Sequence, residues 1–485
     1  MLFNSIEFLL FLPVVFGIYW MLGSRGLKTQ NFFLLAASYF FYGWWDWRFL
    51  TLIVFSSVLD YSIGLKMSAS QSTGQRKLLL LLSVAVNLGF LGFFKYFDFF
   101  LLNLNEAFTF LGNPISFRGL EIVLPVGISF YTFQTLSYTI DIYRKKIAPS
   151  SDPIAFFSFV SFFPQLVAGP IERASNLLPQ FSKPRKFNRA KAEDGMRQML
   201  WGLFKKVVIA DNCAPIVDSV YADVGAAEPF MLVVAIVLFS FQIYCDFSGY
   251  SDIAIGCARL FGFNLMQNFA FPYFSRDIAE FWRRWHISLS TWFRDYLYIP
   301  LGGSRGGKWM KVRNTMIIFI VSGFWHGANW TFIFWGALNA LFFLPLLLGN
   351  RNRSNLDTIA HNKFLPGLNE LGGVLLTFAL TNLAWIFFRA ASIEQAFEII
   401  GRLGDLAQCD LTQQTSLFKS FFAMNKHVVL IFFLLAMEWW NRQRQHGLEM
   451  TGRPTWLRRG LYIVMMLIVF TFGNFQEQSF IYFQF

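Results

Sequence analysis

The most informative part of the sequence is Ser322-Gly-Phe-Trp-His-Gly-Ala-Asn-Trp330, which places His326 inside the apolar run 315–349. A lipid bilayer offers no water to hydrogen-bond an imidazole, so an ionisable side chain within such a run is costly. Where one occurs, it marks a functional site or a pathway by default. We therefore predict that His326 takes part in chemistry at membrane depth.

The composition of the chain is that of a polytopic membrane protein. Of the 485 residues, 55% are hydrophobic and only 14% are charged, whereas soluble domains carry roughly 25% charged residues. Apolar runs long enough to cross a hydrocarbon core of about 30 Å recur along nearly the whole sequence. We predict an all-α membrane protein in which residues 1–485 form a single integral membrane domain.

The basic residues lie in separate blocks between the apolar runs, although the net charge is +12. This pattern is typical of cytoplasmic loops and excludes a nucleic-acid-binding protein. Segments 183–206 and 302–313 are both strongly basic, and Arg351 follows the run that contains His326. Two cytoplasmic ends require an even number of crossings, so we predict that this run turns back near Gly327.

Applied along the chain, the same rule predicts roughly eleven or twelve crossings, with both termini outside the cytoplasm. Segments 154–170 and 249–266 are short or rich in Gly, Pro and Ser, and we interpret them as re-entrant. Irregular backbone survives at membrane depth only where it is buried in protein or lines a water-filled cavity. We therefore expect a cavity.

A second motif, Phe281-Trp-Arg-Arg-Trp-His-Ile-Ser-Leu-Ser-Thr-Trp-Phe-Arg-Asp-Tyr-Leu-Tyr298, contains His286. Read as one continuous helix, it places Trp282, Trp285 and His286 on an apolar stripe. Arg283 and Arg284 fall off that stripe, where guanidinium groups could meet lipid or donor phosphates. The alternative interpretation is a helix at the membrane surface that its Trp and Arg side chains anchor.

Two further patterns do not predict a bound metal or cofactor. The four cysteines show no C-x-x-C pairing and no histidine at metal-ligand spacing, so we predict neither a zinc site nor a disulfide framework. The segment Gly302-Gly-Ser-Arg-Gly-Gly-Lys308 matches a phosphate-binding loop, but Trp309 stands where Mg²⁺ coordination needs Ser or Thr. We interpret it as a mobile cytoplasmic turn whose Arg305 and Lys308 are available to an anionic donor.

Histidine chemistry favours a catalytic role. A neutral imidazole with a pKa of about 6.5 can accept a proton from a hydroxyl and return it to a leaving group. The structural alternative for His326 is a hydrogen bond to a backbone carbonyl beside Gly327. The other histidines, His361, His427 and His446, fall in loops or at the ends of apolar runs. His286 and His326 are therefore the natural pair, and we predict that the fold brings them together.

Weaker polar candidates lie near the apolar run that precedes residue 266. Asp246, Ser248 and Asp252 occur there within nine residues of Tyr244. We interpret them as structural groups that satisfy the backbone or pair with Arg259, because buried polar groups need partners.

Three segments resemble the membrane-bound O-acyltransferase family: Trp285-His-Ile-Ser-Leu-Ser290, Phe293-Arg-Asp-Tyr-Leu-Tyr-Ile-Pro-Leu-Gly-Gly-Ser304 and Gly323-Phe-Trp-His-Gly-Ala328. Tyr244-Cys-Asp-Phe-Ser-Gly-Tyr-Ser-Asp252 and the closing Phe480-Ile-Tyr-Phe-Gln-Phe485 resemble its bacterial branch, typified by the alginate O-acetyltransferase membrane subunit. The resemblance covers essentially the whole chain. The teichoic acid D-alanyl transferase and peptidoglycan O-acetyltransferase subunits share much of the pattern, so it supports the branch better than the polymer.

The resemblance implies a ring of transmembrane helices around a central funnel in the bacterial inner membrane. It implies that an acyl group passes from a cytoplasmic thioester, acetyl-CoA or an acyl-carrier thioester, to a polysaccharide acceptor on the far side. His326 matches the catalytic histidine of the family and His286 its second histidine. A separate extracytoplasmic protein of the SGNH-hydrolase type is expected to complete the transfer.

We expect His326 to act as general base on an acceptor hydroxyl, and His286 to orient that acceptor or stabilise the oxyanion. Candidate substrate contacts lie near the two histidines: Trp282, Arg283, Arg284, Trp285, Asp295, Tyr298, Trp325 and Asn329. Candidate donor contacts are Arg305 and Lys308. Two alternatives stay open: D-alanyl transfer to a teichoic acid from a carrier protein, and a non-enzymatic channel or transporter with a histidine proton relay.

Overall fold

The computed structural model describes residues 1–113, 115, 117–120, 122–408, 411–476, 480 and 481. Every regular element within these residues is a helix, which confirms the predicted all-α class. The chain divides into two compact units, one of Met1–Gly195 with Cys257–Met266 and one of Met196–Gly256 with Gln267–Phe485. A single integral domain over residues 1–485 stays a prediction.

The first unit packs apolar helices around buried polar groups that are hydrogen-bonded to one another. Its helices are α1 (Ile6–Met21), α2 (Leu27–Asp46), α3 (Leu50–Ala69), α4 (Thr73–Leu91), α5 (Phe97–Phe110), α6 (Ile128–Tyr143), α7 (Pro153–Ser161), α8 (Phe163–Leu166) and α9 (Ala174–Phe181). The carboxylate of Asp60 on α3 accepts hydrogen bonds from Ser83 (2.6 Å) and Asn87 (2.8 Å) on α4. Such pairing is what an interior without water requires.

Two helices, α10 (Arg189–Leu203) and α12 (Pro229–Leu260), include residues of both units. Residues 249–260 continue α12, so the re-entrant segment predicted at 249–266 is wrong over that part. Gly249 does not break the helix. It allows a close approach to α10, because an added Cβ would stand 2.7 Å from the carbonyl oxygen of Gly202.

The second unit contains the remaining helices: α11 (Asp211–Ala222), α13 (Ile278–Arg284), α14 (Ile287–Phe293), α15 (Lys308–His326), α16 (Trp330–Leu348), α17 (Leu368–Arg389), α18 (Ile393–Gly404), α19 (Leu411–Met424), α20 (Leu430–Trp440) and α21 (Thr455–Phe472). Short 3₁₀ segments occupy Leu22–Arg25, Trp47–Phe49, Pro272–Phe274, Asp405–Gln408 and Lys426–Val429. π-helical segments occupy Gly92–Tyr96, Phe204–Ala210 and Arg294–Tyr298.

Helices α15 and α16 form a hairpin that turns at residues 327–329, as the sequence predicts. Its two arms approach closely because glycines stand at the contact. An added Cβ on Gly323 would collide with the carbonyl oxygen of Phe332, and one on Gly336 with that of Phe319. His326 is the last residue of α15 and therefore lies at the tip of the hairpin.

Among the described residues, seven stretches are long and apolar enough to cross a membrane. They are Ile6–Arg25, Leu27–Ala69, Thr73–Phe110, Pro229–Leu260, Trp330–Leu348, Leu368–Arg389 and Thr455–Phe472. Two of them contain two helices each, and Pro153–Leu166 and His427–Trp440 are shorter apolar stretches. The chain is thus a multi-pass membrane protein, while the number of crossings, their orientation and the central funnel stay predictions.

Candidate functional site

The two histidines singled out in the sequence meet inside the second unit. Their ring centroids are 6.4 Å apart. His286 is 1% and His326 is 3% exposed. The predicted proximity is confirmed, and the two imidazoles share one water-poor interior.

Aromatic rings surround His326. The ring centroids of Trp325, Trp335 and Phe388 lie 5.0, 5.1 and 5.5 Å from that of His326. Trp385 in turn stacks on Trp335 at 5.7 Å. A low-dielectric wall of this kind strengthens any interaction between the imidazole and a charge that develops beside it.

His286 stands at a break between α13 and α14, which corrects the predicted continuous helix. Its φ is +42°, in the left-handed region that a non-glycine residue adopts at some cost. The break arises because a neighbouring segment replaces the helical hydrogen bonds. The N–H of Ile287 donates to the carbonyl of Asn268 (2.9 Å), and the N–H of Ala270 donates to the carbonyl of Arg284 (3.0 Å).

The side chain of Asn268 fixes the protonation of the His286 ring. Its Oδ1 accepts from the Ser288 hydroxyl at 2.9 Å and faces the Ser288 backbone N–H at 3.4 Å. A backbone N–H can only donate, so an oxygen faces it. The same Oδ1 lies 3.0 Å from His286 Nδ1, which must therefore carry a hydrogen.

The other nitrogen of His286 is an open hydrogen-bond acceptor. Burial lowers the pKa of His286 to about 3, so the ring is neutral at physiological pH. With the proton on Nδ1, Nε2 carries a lone pair. Nε2 is buried and has no hydrogen-bond partner among the described residues. This tautomer favours acceptance of a proton over donation to an oxyanion.

The tryptophans and the asparagine predicted to contact substrate have different surroundings. Trp325 lies against both histidines, 6.1 Å from the ring of His286. Trp285 points into an aromatic stack, 5.5 Å from Phe281. Asn329 caps α16 by accepting from the N–H of Thr331 (3.0 Å), and it donates to the carbonyl of Ala391 (3.1 Å).

The remaining predicted substrate contacts of this motif bind other protein groups. Arg283 donates to the carbonyls of Asn352 and Asn355, each at 2.7 Å. Arg284 forms an ion pair with the buried Glu280 at 2.8 Å. Asp295 pairs with Arg294 (2.7 Å), and the Tyr298 hydroxyl lies 2.9 Å from that of Ser304. Arg283 and Arg284 thus hold the α13 region to neighbouring segments of the second unit.

A cavity of about 640 Å³ lies among α13, α14, α15 and α16. Its lining combines apolar side chains, including Ile318 and Phe319, with basic ones: Arg283, Arg294 and Arg353. Ser322 also lines it, one helical turn before His326. This volume lies within the range of ligand sites, roughly 300–1,000 Å³.

One wall of this cavity is Trp282, whose indole Nε1 is buried without a hydrogen-bond partner among the described residues. The ring of Trp282 lies 5.8 Å from that of Trp335, which lies 5.1 Å from that of His326. Two indoles therefore connect the cavity to the histidine pair.

The predicted donor contacts do not line this cavity. Arg305 and Lys308 are exposed and lie outside its lining. Sequence reasoning missed Arg294 and Arg353 as candidate contacts. Arg294 belongs to a motif already recognised, and Arg353 follows the hairpin, so basic residues at the ends of α14 and α16 were the available signal.

Two adjacent lysines at the end of the basic segment 183–206 do not lie in a loop. Lys205 and Lys206 are buried in the π-helical segment Phe204–Ala210, 2% and 1% exposed. Lys206 lies 2.8 Å from both Asp211 and Asp246. Lys205 lies 2.5 Å from Asp252 and 2.8 Å from the Ser248 hydroxyl.

The pairing of Asp246, Ser248 and Asp252 with Arg259 is therefore wrong, and Arg259 pairs with Asp194 at 2.5 Å. The reason is that a buried ammonium requires an opposite charge, and the two lysines supply the closer cations. The structural interpretation of the three residues stays a prediction, and their pairing with the lysines agrees with it.

The closing motif Phe480–Phe485 lies only partly within the described residues. Phe480 is buried, with its ring 5.8 Å from that of Phe247. The N–H of Ile481 donates to Asp246 at 2.7 Å. Residues 482–485 lie outside the described residues, as does Cys409, while Cys213, Cys245 and Cys257 are buried free thiols.

Known proteins resemble this chain over most of its length. Residues 33–358 match the family model described as MBOAT, membrane-bound O-acyltransferase family. The chain is 42% identical over 404 residues to the probable alginate O-acetylase AlgI of Pseudomonas aeruginosa, which covers 82% of this chain and 74% of that protein. It is 38% identical over 450 residues to the peptidoglycan O-acetyltransferase of Helicobacter pylori, with 86% and 83% covered. The teichoic acid D-alanyltransferase of Streptococcus thermophilus is 27% identical over 285 residues, with 54% and 68% covered.

Proposed function

This protein belongs to the membrane-bound O-acyltransferase family, and we propose that it moves an acetyl group across the inner membrane for O-acetylation of a cell-surface or secreted polysaccharide. That it is an acyltransferase follows from the family and from relatives named as O-acetyltransferases. The single observation that carries the site is the buried pair of His286 and His326, 6.4 Å apart. Because the chain belongs to an enzyme family, we do not favour the alternative of a non-enzymatic channel or transporter with a histidine proton relay.

The names of the relatives support acetyl as the transferred group. The relatives named for acetyl transfer to alginate and to peptidoglycan are 42% and 38% identical and match four fifths of the chain or more. The Streptococcus thermophilus relative, which is named for D-alanyl transfer, is 27% identical over 54% of the chain. We propose an alginate-like exopolysaccharide or peptidoglycan as the acceptor.

We propose that the thioester donor occupies the cavity lined by Trp282 and Ser322. An acetyl-CoA or an acyl-carrier thioester combines phosphates with a long neutral arm. Exposed guanidinium groups at Arg294 and Arg353 suit the phosphates, since Arg pairs with phosphate in a bidentate manner. The apolar lining around Phe319 suits the arm, and Ser322 lies one turn from His326.

The chemistry requires a base and a group that stabilises charge. An acceptor hydroxyl attacks the thioester carbonyl carbon while an imidazole accepts the hydroxyl proton. The carbon–sulfur bond then breaks, and the imidazolium returns the proton to the leaving thiolate. The second imidazole lies beside the carbonyl oxygen as negative charge develops there. From the family resemblance we propose His326 for the first role and His286 for the second.

The surroundings of the enzyme are part of the same proposal. We place the basic loops, and with them the donor, on the cytoplasmic side, and both chain termini outside the cytoplasm. An extracytoplasmic partner of the SGNH-hydrolase type would receive the acetyl group and complete transfer to the polysaccharide. The described residues of this chain contain no strand from which such an α/β domain could be built.

The experiment that tests this function measures esterified acetate on the surface polymers of the host. It compares the wild type, a deletion strain, and the deletion strain complemented with His326→Ala or with Asn339→Ala. Asn339 is a buried amide on α16 that donates to the carbonyl of Trp335 (2.8 Å), so its variant controls for loss of a buried polar group. We expect acetate to be lost in the deletion and in His326→Ala, and retained in the control.

Two results would contradict the proposal. Equal acetate in every strain would exclude O-acetyl transfer. Loss of ester-linked D-alanine in place of acetate in the deletion strain would select the teichoic acid alternative.

A further inference from the structure

Two hydroxyl groups that line the proposed donor cavity have no protein partner. Six hydroxyl-bearing side chains line this cavity, and four of them are hydrogen-bonded within the protein: Ser290, Thr291, Tyr298 and Ser304. The other two, Thr315 and Ser322 on α15, have no hydrogen-bond partner among the described residues. They are nevertheless enclosed, 2% and 9% exposed. Because enclosed polar groups in native proteins are almost always hydrogen-bonded, these two hydroxyls indicate a ligand in the cavity.

Both hydroxyls lie on the face of α15 that leads to His326. Seven residues make about two helical turns, so Thr315 and Ser322 project in nearly the same direction, and His326 follows about one turn after Ser322. Ile318 and Phe319 line the cavity between them. At about 1.5 Å per residue, Ser322 lies about 6 Å and Thr315 about 16 Å from His326 along the helix axis. This face therefore presents two polar groups at fixed distances from His326, with an apolar stretch between them.

The two distances match the phosphopantetheine arm that acetyl-CoA and acyl-carrier thioesters share. An extended chain advances about 1.25 Å per bond, since three bonds join α-carbons that are about 3.8 Å apart. Five bonds separate the thioester carbonyl carbon from the carbonyl carbon of the nearest amide, which is about 6 Å. Fourteen bonds separate it from the first phosphorus, which is about 17 Å. With the thioester at His326, the amide therefore reaches Ser322 and the phosphate reaches Thr315.

Resting on the proposed acetyl transfer, we propose that the donor arm lies extended along this face of α15, with Ser322 bonded to the amide nearest the sulfur and Thr315 bonded to the phosphate. The Ser322 hydroxyl donates to the amide carbonyl, and the Thr315 hydroxyl donates to a phosphate oxygen. Arg353 lines the same cavity and matches the phosphate charge. Phe319 contacts the hydrocarbon part of the arm between the two polar groups.

Ser322 is thus a donor-binding residue that also determines specificity. A site with a hydroxyl placed for an amide discriminates against a thioester without one, because the enclosed hydroxyl then stays unpaired. The amide takes no part in the reaction, so its hydrogen bond is as strong in the bound donor as in the transition state. Loss of such a contact raises KM and leaves kcat unchanged.

The test uses inside-out membrane vesicles from the host, which expose the cytoplasmic face and retain the native acceptors and partners. Thiol release is measured per molecule of the full chain with three donors. Acetyl-CoA has the whole arm, S-acetyl-N-acetylcysteamine keeps only the amide nearest the sulfur, and S-ethyl thioacetate has no amide. Vesicles from the deletion strain give the background, and radiolabelled acetyl-CoA reports acetyl incorporation.

Ser322→Ala removes the hydroxyl that is placed for the amide. We expect the KM for acetyl-CoA to rise about three- to tenfold with kcat unchanged, as for the loss of one neutral hydrogen bond. The kcat/KM for S-acetyl-N-acetylcysteamine should fall by the same factor, because this donor carries the same amide. With S-ethyl thioacetate, the variant and the wild type should have equal kcat/KM.

Thr315→Val keeps the shape of the side chain and removes its hydroxyl. We expect the KM for acetyl-CoA to rise about tenfold, because a hydrogen bond to phosphate is charge-assisted. The two donors without phosphate should react as with the wild type. Thr381→Val is the matched control, since Thr381 is a buried residue of α17 outside the cavity lining and donates to the carbonyl of Thr377 at 2.8 Å. It should match the wild type with all three donors.

The outcomes separate this inference from the proposed function. If wild-type vesicles release no thiol from acetyl-CoA above the background, the proposed function itself fails. If they are active but Ser322→Ala matches the wild type, or slows all three donors alike, Ser322 does not bind the amide and the inference is overturned. If Thr315→Val slows S-acetyl-N-acetylcysteamine as much as acetyl-CoA, the arm does not extend along α15 in this register.

Discussion

The second unit buries two polar clusters, the histidine pair and the lysine pair, and they differ in how their charges are matched. Lys205 and Lys206 each lie within 2.8 Å of a carboxylate, so the cluster pairs its own charges. His286 satisfies Nδ1 through Asn268 and leaves Nε2 without a partner among the described residues. A buried ammonium group that is paired with carboxylates stabilises the fold. A buried imidazole with only one of its two nitrogens hydrogen-bonded is suited to bind a ligand through the other.

The histidine pair gives the largest expected effect on activity. His326→Ala and His286→Ala should each lower acetyl transfer in vesicles by about 10²- to 10⁴-fold, because a proton acceptor or a charge-stabilising group is lost. Quantitative immunoblots should show normal membrane insertion of both variants. If the protein disappears from the membrane instead, the histidines serve the fold, and the contrast with the lysines fails.

The lysine pair should show the opposite pattern. Lys206→Met leaves Asp211 and Asp246 buried without their cation, which costs about 3–5 kcal/mol of stability. We expect little folded protein in membranes, with near-normal activity per molecule in whatever remains. The measurement is thermal unfolding in detergent alongside the vesicle assay. If Lys206→Met is as abundant in the membrane as the wild type but inactive, Lys206 takes part in the reaction and not only in folding.

A substitution in the hairpin that carries His326 should have an effect on stability smaller than that of the lysine substitution. Gly323→Val places a side chain against the carbonyl of Phe332 and should separate α15 from α16, at a cost of about 1–3 kcal/mol. Gly372→Val on α17 is the matched control, because no atom lies within 4 Å of an added Cβ there. Equal melting temperatures in the two variants would contradict the close packing of the hairpin.

The smallest effect is expected at the donor cavity. Arg353→Ala should raise the KM for acetyl-CoA about three- to tenfold and leave kcat unchanged, since an exposed arginine contributes binding on the order of 1 kcal/mol. Arg305→Ala, which the sequence favours as a donor contact but which lies outside the cavity lining, should leave KM unchanged. A raised KM in Arg305→Ala together with an unchanged KM in Arg353→Ala would show that the donor does not bind in this cavity.

Much of the site was predictable from one-dimensional patterns. The basic segments on both sides of the apolar run require a turn, and the structure places that turn at residues 327–329, directly after His326. The scarcity of histidine in an apolar chain identified the pair, because each buried imidazole needs a physical reason. Both inferences rest on local sequence and on the cost of polar groups in lipid.

Other features depend on contacts between segments that are distant in sequence. The helix break at His286 requires Asn268 to take over the hydrogen bonds of Ile287 and Ser288, and periodicity of the motif carries no sign of it. In the sequence, Lys205 and Lys206 look like residues of a basic loop. In the structure, Lys206 pairs with Asp246 and Lys205 with Asp252, and both carboxylates lie on α12. Counting charges along the sequence therefore predicts exposed loop residues, whereas pairing with the two carboxylates allows both lysines to be buried.

The most direct test of the central claim compares thiol release from acetyl-CoA in vesicles that carry His286→Ala, His326→Ala or both substitutions. If the two imidazoles act on one reacting hydroxyl and carbonyl, either loss disables the same step, so the double variant should be about as slow as the slower single variant. A double variant whose loss equals the product of the two single losses would show that the histidines act independently, and would contradict the account.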